Sequence, residues 1–137
     1  MASLNLYVRF YSFRQEAEAA LRALWHLSSS RLQVVAIVLL QALGWFQAIF
    51  IYKHLSGELL VLHYNIDFGI DLVGAPWRIF LYPLCGLGIF LLNWLVAASL
   101  HRQPQFRLFA NLLLAAAIIF AIFVSLALMF IYLINFR

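Results

Sequence analysis

The sequence predicts an all-α membrane protein: three transmembrane helices, an N-terminal amphipathic interfacial helix, and a short extended segment in the first loop. Three observations predict it. Hydrophobic residues fill 66% of the 137 positions and charged residues 10%, against roughly 45–50% and about 25% in soluble domains. Three continuous apolar runs reach membrane-spanning length, and one stretch between the first two alternates strictly between apolar and polar residues. A water-soluble domain of this size cannot hide so much apolar surface, so lipid must cover the excess.

The expected organisation is a cytoplasmic tail, residues 1–31, followed by a three-span domain, residues 32–137. Within the tail, Phe13, Ala17, Ala20, Leu21, Leu24 and Leu27 recur at helical spacing. Arg14, Gln15, Glu18, Arg22 and His26 fall largely elsewhere on the wheel. Ser12 and Gln15 have the spacing of a capping box. This pattern predicts an amphipathic helix lying on the inner membrane surface, with docking on a partner protein as the rival reading. Ser28-Ser29-Ser30 reads as a short hinge into the first span. The first apolar run begins near residue 32, behind a tail carrying both signs of charge, and is expected to be a retained anchor rather than a cleaved signal.

The spans are expected at Leu32 to Tyr52, Pro76 to Ser99 and Phe106 to Phe136. About 20 helical residues cross a hydrocarbon core of about 30 Å. The first two runs fit directly, and the third must tilt or protrude. Continuous apolarity argues for helices over barrel strands, which alternate. Tyr52 and Lys53 close the first run, and Pro76, Trp77 and Arg78 open the second. His101, Arg102 and Pro104 separate the last two. Aromatic and basic residues at run ends suit the headgroup region. Arg9, Arg14, Arg22, Arg31, Arg102 and Arg107 lie on one side, against Lys53, Arg78 and Arg137 on the other. Six cations against three predict an inner-membrane protein with its N-terminus in the cytoplasm and its C-terminus outside.

The segment Leu62-His63-Tyr64-Asn65-Ile66-Asp67-Phe68-Gly69-Ile70-Asp71-Leu72 places apolar residues at every even position and polar residues or glycine at every odd one. Such a period of two predicts an extended ribbon with two unlike faces. Leu62, Tyr64, Ile66, Phe68 and Ile70 would press onto the helix ends or into headgroups. His63, Asn65, Asp67 and Asp71 would face water or each other. A lone ribbon has open backbone edges, so it is expected to pair, fold back or meet a partner. His63-x-Asn65 followed by Gly69-x-Asp71, between a first and a second span, resembles the motif after the first helix of SdpI-type bacterial membrane proteins. Val61-Leu62 replaces that family's leading proline, and Ile70 its turn proline. Pro83-Leu84-Cys85-Gly86-Leu87 resembles a segment of other small bacterial membrane proteins with a histidine-containing loop. The resemblance covers residues 32–98 and implies immunity or signalling through a partner, not catalysis.

Chemistry in the residues themselves is sparse. His63, Asp67 and Asp71 are of metal-ligand type, but on a straight strand they spread over about 25 Å, so no metal is expected. No His-Glu-x-x-His and no glycine-rich phosphate loop occurs, and Ser125 has no histidine at matching depth. His26, His54, His63 and His101 all sit at run edges, against a haem between spans. No cofactor is expected; a metal-dependent membrane enzyme is the minor alternative. No basic stripe supports a nucleic-acid partner. The lone Cys85 reads as a small hydrophobe. Polar groups inside the spans are amides, Gln41, Gln47, Asn93 and Asn111, expected to bond between helices. Gly44 and Ala48, Gly86 and Gly88, and Ala117, Ala121 and Ser125 form small-residue positions for close helix approach, within the chain or against another subunit. The expected role is non-catalytic: interaction through the outward ribbon 62–72 with a membrane-protein partner or a second copy, within the lipid bilayer. The alternative is an accessory subunit of a larger transport or respiratory complex.

Overall fold

A computed structural model describes residues 2–55, 59–65, 67 and 69–136. In chain order it contains α1 (Ala2–His26), α2 (Ser28–His54), β1 (Leu60–Asn65), β2 (Gly69–Gly74), a 3-10 turn (Pro76–Phe80), α3 (Leu81–Ser99) and α4 (Phe106–Asn135). Three segments are long and apolar enough to cross a membrane: Ser28–His54, Pro76–Ser99 and Phe106–Asn135. In the most apolar part of each, only 28%, 17% and 28% respectively is buried inside the chain. The remaining apolar surface needs a nonaqueous cover, which fits a multi-pass membrane protein.

The first span starts earlier than its apolar run. Ser28, Ser29 and Ser30, expected as a hinge, form the first turn of α2. Serine favours helix starts as well as loops, because its short polar side chain suits the first turn. The break falls on Leu27 alone, which is extended at φ −78° and ψ 111°. The tail helix also exceeds its expected bounds. It begins at Ala2, so Ser12 lies inside it and is not an N-cap. Ala20 and Leu24 are buried, while Arg14, Glu18 and Arg22 form an exposed i, i+4 ladder at 3.1 and 3.3 Å. Leu24 packs with Ala97 and Ala110 at the near ends of α3 and α4. Glu16 pairs with Arg102 at 2.8 Å across the same junction. The side chain of Phe13 lies outside the described residues.

Pro76 opens the second span as a 3-10 turn rather than as the start of an α-helix. Pro83 sits in the first turn of α3, where its missing N–H costs no intrahelical bond. At the other end, His101 to Gln105 make a tight turn held by Gln103 N–H to Leu100 O at 2.9 Å and Phe106 N–H to Gln103 O at 3.0 Å.

Helix α4 lies against both α2 and α3 and is the centre of the bundle. Its buried stripe is Ala110, Leu114, Ala117, Ala121, Val124, Leu128 and Ile131. Side-chain hydrogen bonds between the helices add to this packing. Gln41 donates to Pro83 O at 2.7 Å, Asn93 donates to Leu113 O at 3.1 Å, and Ser125 donates to Gln47 Oε1 at 2.9 Å. The side-chain oxygen of Asn111 has no such bond; its backbone carbonyl instead accepts from Gln33 at 3.2 Å. Gly86 is a place where a side chain has no room: an added Cβ would stand 2.9 Å from Gln41 Oε1. Gly44 faces Pro83 and Leu128 at ordinary contact distance, and Gly88 faces open space.

A clasped hairpin as the candidate functional site

Residues 60–74 do not run as one straight ribbon. Strands β1 and β2 pair antiparallel, with Leu60 opposite Gly74, Val61 opposite Val73, His63 opposite Leu72, and Asn65 opposite Gly69. Gly69, at φ +78°, adopts a conformation that side chains disfavour, just past the turn. Ile66 and Phe68, expected on the apolar face, lie outside the described residues, as do the side chains of Tyr64, Asn65 and Asp71.

The register shifts between Val61 and Tyr64, as in a bulge. Bulges leave backbone groups unmatched in the ladder. Here the Leu62 carbonyl accepts a hydrogen bond from the Tyr82 hydroxyl at 2.9 Å. One residue earlier, Val61 turns both backbone groups toward α4. Asn135 Oδ1 accepts from Val61 N–H at 2.9 Å, and Asn135 Nδ2 donates to Val61 O at 2.9 Å. The same Nδ2 also donates to Ile131 O at 2.8 Å, which fixes the side chain on its own helix. The carboxamide thus stands where a third strand would stand, offering one acceptor and one donor.

Packing reinforces the clasp. Leu60 and Leu62 are buried in a cluster with Ala48, Ile51, Ile79, Val124, Leu128 and Ile131. A Cβ at Gly74 would stand 2.8 Å from Leu62 Cδ1, so the buried Leu62 side chain would have to shift. Aromatic rings surround this end of the bundle: Phe50 stacks on His54 at 4.1 Å, Tyr132 meets Phe136 at 4.4 Å, and Tyr52 tilts against Phe80 at 5.3 Å.

The two strands differ sharply in what they present. His63 on β1 and Asp67 in the turn are exposed. On β2, Ile70, Leu72 and Val73 are 56%, 45% and 44% exposed. Ile70, expected to press on helix ends or into headgroups, is exposed on β2, whereas Leu60 and Leu62 of β1 are buried in the bundle. Among the described residues, no three His, Cys, Asp or Glu side chains gather closely enough to hold a metal ion. The packing residues lie elsewhere. Gly44, Ala48, Gln41, Gly86, Ala117 and Ala121 are buried inside the bundle, and Asn93 and Ser125 are partly buried.

Asn135 and Tyr82 are the residues that sequence reasoning passed over. The available signal was an amide at the end of an otherwise apolar run. No protein-family model, curated protein or solved structure matches the chain. The likeness to SdpI-type proteins therefore rests on His63, Asn65, Gly69 and Asp71 alone.

Proposed function

We propose that the chain is a non-catalytic, multi-pass inner-membrane protein that recognises another membrane protein through its outward hairpin, residues 60–74. The observation that carries this reading is the contrast between the two strands. β1 is fastened by Asn135, Tyr82 and two buried leucines, whereas β2 presents three exposed apolar residues and has no second strand beside it among the described residues. A rigidly mounted strand with an open edge is a template for pairing with a second extended segment. The positive-inside count assigns the hairpin to the outer face and the N-terminal helix α1 to the inner surface. Apolar Val8, Tyr11, Leu21 and Trp25 stay exposed on α1, which suits contact with lipid.

Photo-crosslinking from Ile70 or Leu72 in intact cells tests the reading. A discrete adduct is expected from these positions and not from Leu108 at the opposite end of the bundle. An adduct of twice the 15.8 kDa chain mass makes the partner a second copy. Normal membrane abundance with no discrete adduct at either position removes the proposal.

A further inference from the structure

A groove of about 560 Å³ opens between α1, α2 and α3 at the end of the bundle opposite the hairpin. Its size falls within the roughly 300–1,000 Å³ of small-molecule sites. Val34, Val38, Phe90 and Leu91 form its apolar walls. Arg22, His26 and Arg31 are exposed at its mouth, Ser30 is a buried part of the lining, and Trp25 and Trp94 complete it. From Ser30 to Val38 the groove follows α2 for about 12 Å, close to the ~15 Å of hydrocarbon in one leaflet.

Three features of the polar residues at one end favour an anion. Helix α2 begins without a side-chain cap, so no capping side chain offsets the positive end of its dipole. Ser30 is 1% exposed, and its hydroxyl has no hydrogen-bond partner. A buried hydroxyl left unpaired is costly unless something binds it. Arg31 has no carboxylate partner among the described residues, and the two acids of α1, Glu16 and Glu18, are already engaged by arginines.

We propose that this groove binds one anionic phospholipid of the leaflet on the N-terminal side. Its phosphate sits at the first turn of α2 against Ser30 and Arg31, with Arg22 at the rim. One acyl chain lies between α2 and α3. The walls account for a chain and the mouth for a charge, which together distinguish a lipid from a free phosphate ion. The site rests on the membrane-spanning reading and is independent of the hairpin's partner.

Native mass measurement of the full chain, purified in detergent, tests the site with dioleoyl-phosphatidylglycerol and dioleoyl-phosphatidylcholine as probes. One phosphatidylglycerol should be retained in preference to phosphatidylcholine. Arg31→Gln with Ser30→Ala should weaken that retention by about tenfold, the scale of removing a close cation and a hydrogen bond at a membrane surface. Leu91→Trp, which fills the groove, should abolish it, and Lys53→Gln at the far end should change nothing. Equal retention of the two lipids, or a Leu91→Trp chain that binds as the parent does, would overturn the site. Displacement of the lipid by inorganic phosphate would assign the mouth to the free anion and also overturn it. Alkaline carbonate extraction reports separately on the spanning reading: a chain that resists it yet shows no lipid preference removes the lipid site alone.

Discussion

Asn135 matters more than its single amide implies, because it satisfies both backbone groups of Val61. Asn135→Leu leaves a part-buried donor and acceptor unpaired and should lower the free energy of opening the hairpin by about 1–3 kcal/mol. Hydrogen exchange at the β1 amides reads this directly; unchanged protection would show the clasp to be ornamental. Tyr82→Phe removes one bond to the Leu62 carbonyl and should cost about 1 kcal/mol. Gly69→Ala imposes a Cβ at φ +78° and should loosen the turn by about 1–2 kcal/mol, read by the same exchange at β2. These residues were unequally legible. Gly69 stands in the alternating stretch, where glycine takes an odd position among the polar residues. Asn135 was not noticed, because its partner lies 74 positions away and no local spacing encodes that distance.

Among the elements, the helices were the most legible and their ends the least. Leu32 to Tyr52 carries no charge, so its span could be placed from composition alone. The start at Ser28 could not, since three serines suit a hinge and a first helical turn alike. The hairpin shows the same limit. Period-two alternation marks extended chain, but it does not mark where that chain reverses, and Asn65 opposite Gly69 puts the reversal inside the pattern. Small residues in the spans were likewise visible without their weights. Gly86→Ala would force the Gln41 amide off its bond to Pro83 and should destabilise the α2–α3 contact by about 1 kcal/mol, whereas Gly88→Ala should stay within about 0.5 kcal/mol. Thermal unfolding of both variants in detergent separates them. Equal melting temperatures would mean the helices accommodate a methyl group at either site.

For the whole molecule, the proposed three crossings predict that the two ends of the described chain lie on opposite sides of the bilayer. In a Cys85→Ser background, a cysteine at Phe136 should react with a membrane-impermeant maleimide in intact cells, and one at Val8 only after permeabilisation. Labelling of both in intact cells contradicts an odd number of crossings. At 30 residues, α4 is about 45 Å long, some 15 Å more than the hydrocarbon needs. The excess is what carries Asn135 up to β1. That reach sets an order of events during synthesis. The hairpin leaves the ribosome early, but its clasp follows 74 residues later, a delay of about 4–15 s at ordinary elongation rates of ~5–20 residues per second. Until then Val61 has no carboxamide to hold it. The hairpin end of the bundle therefore matures only once the last helix is made, and a chain stalled before that point displays an unfinished edge for quality control to find.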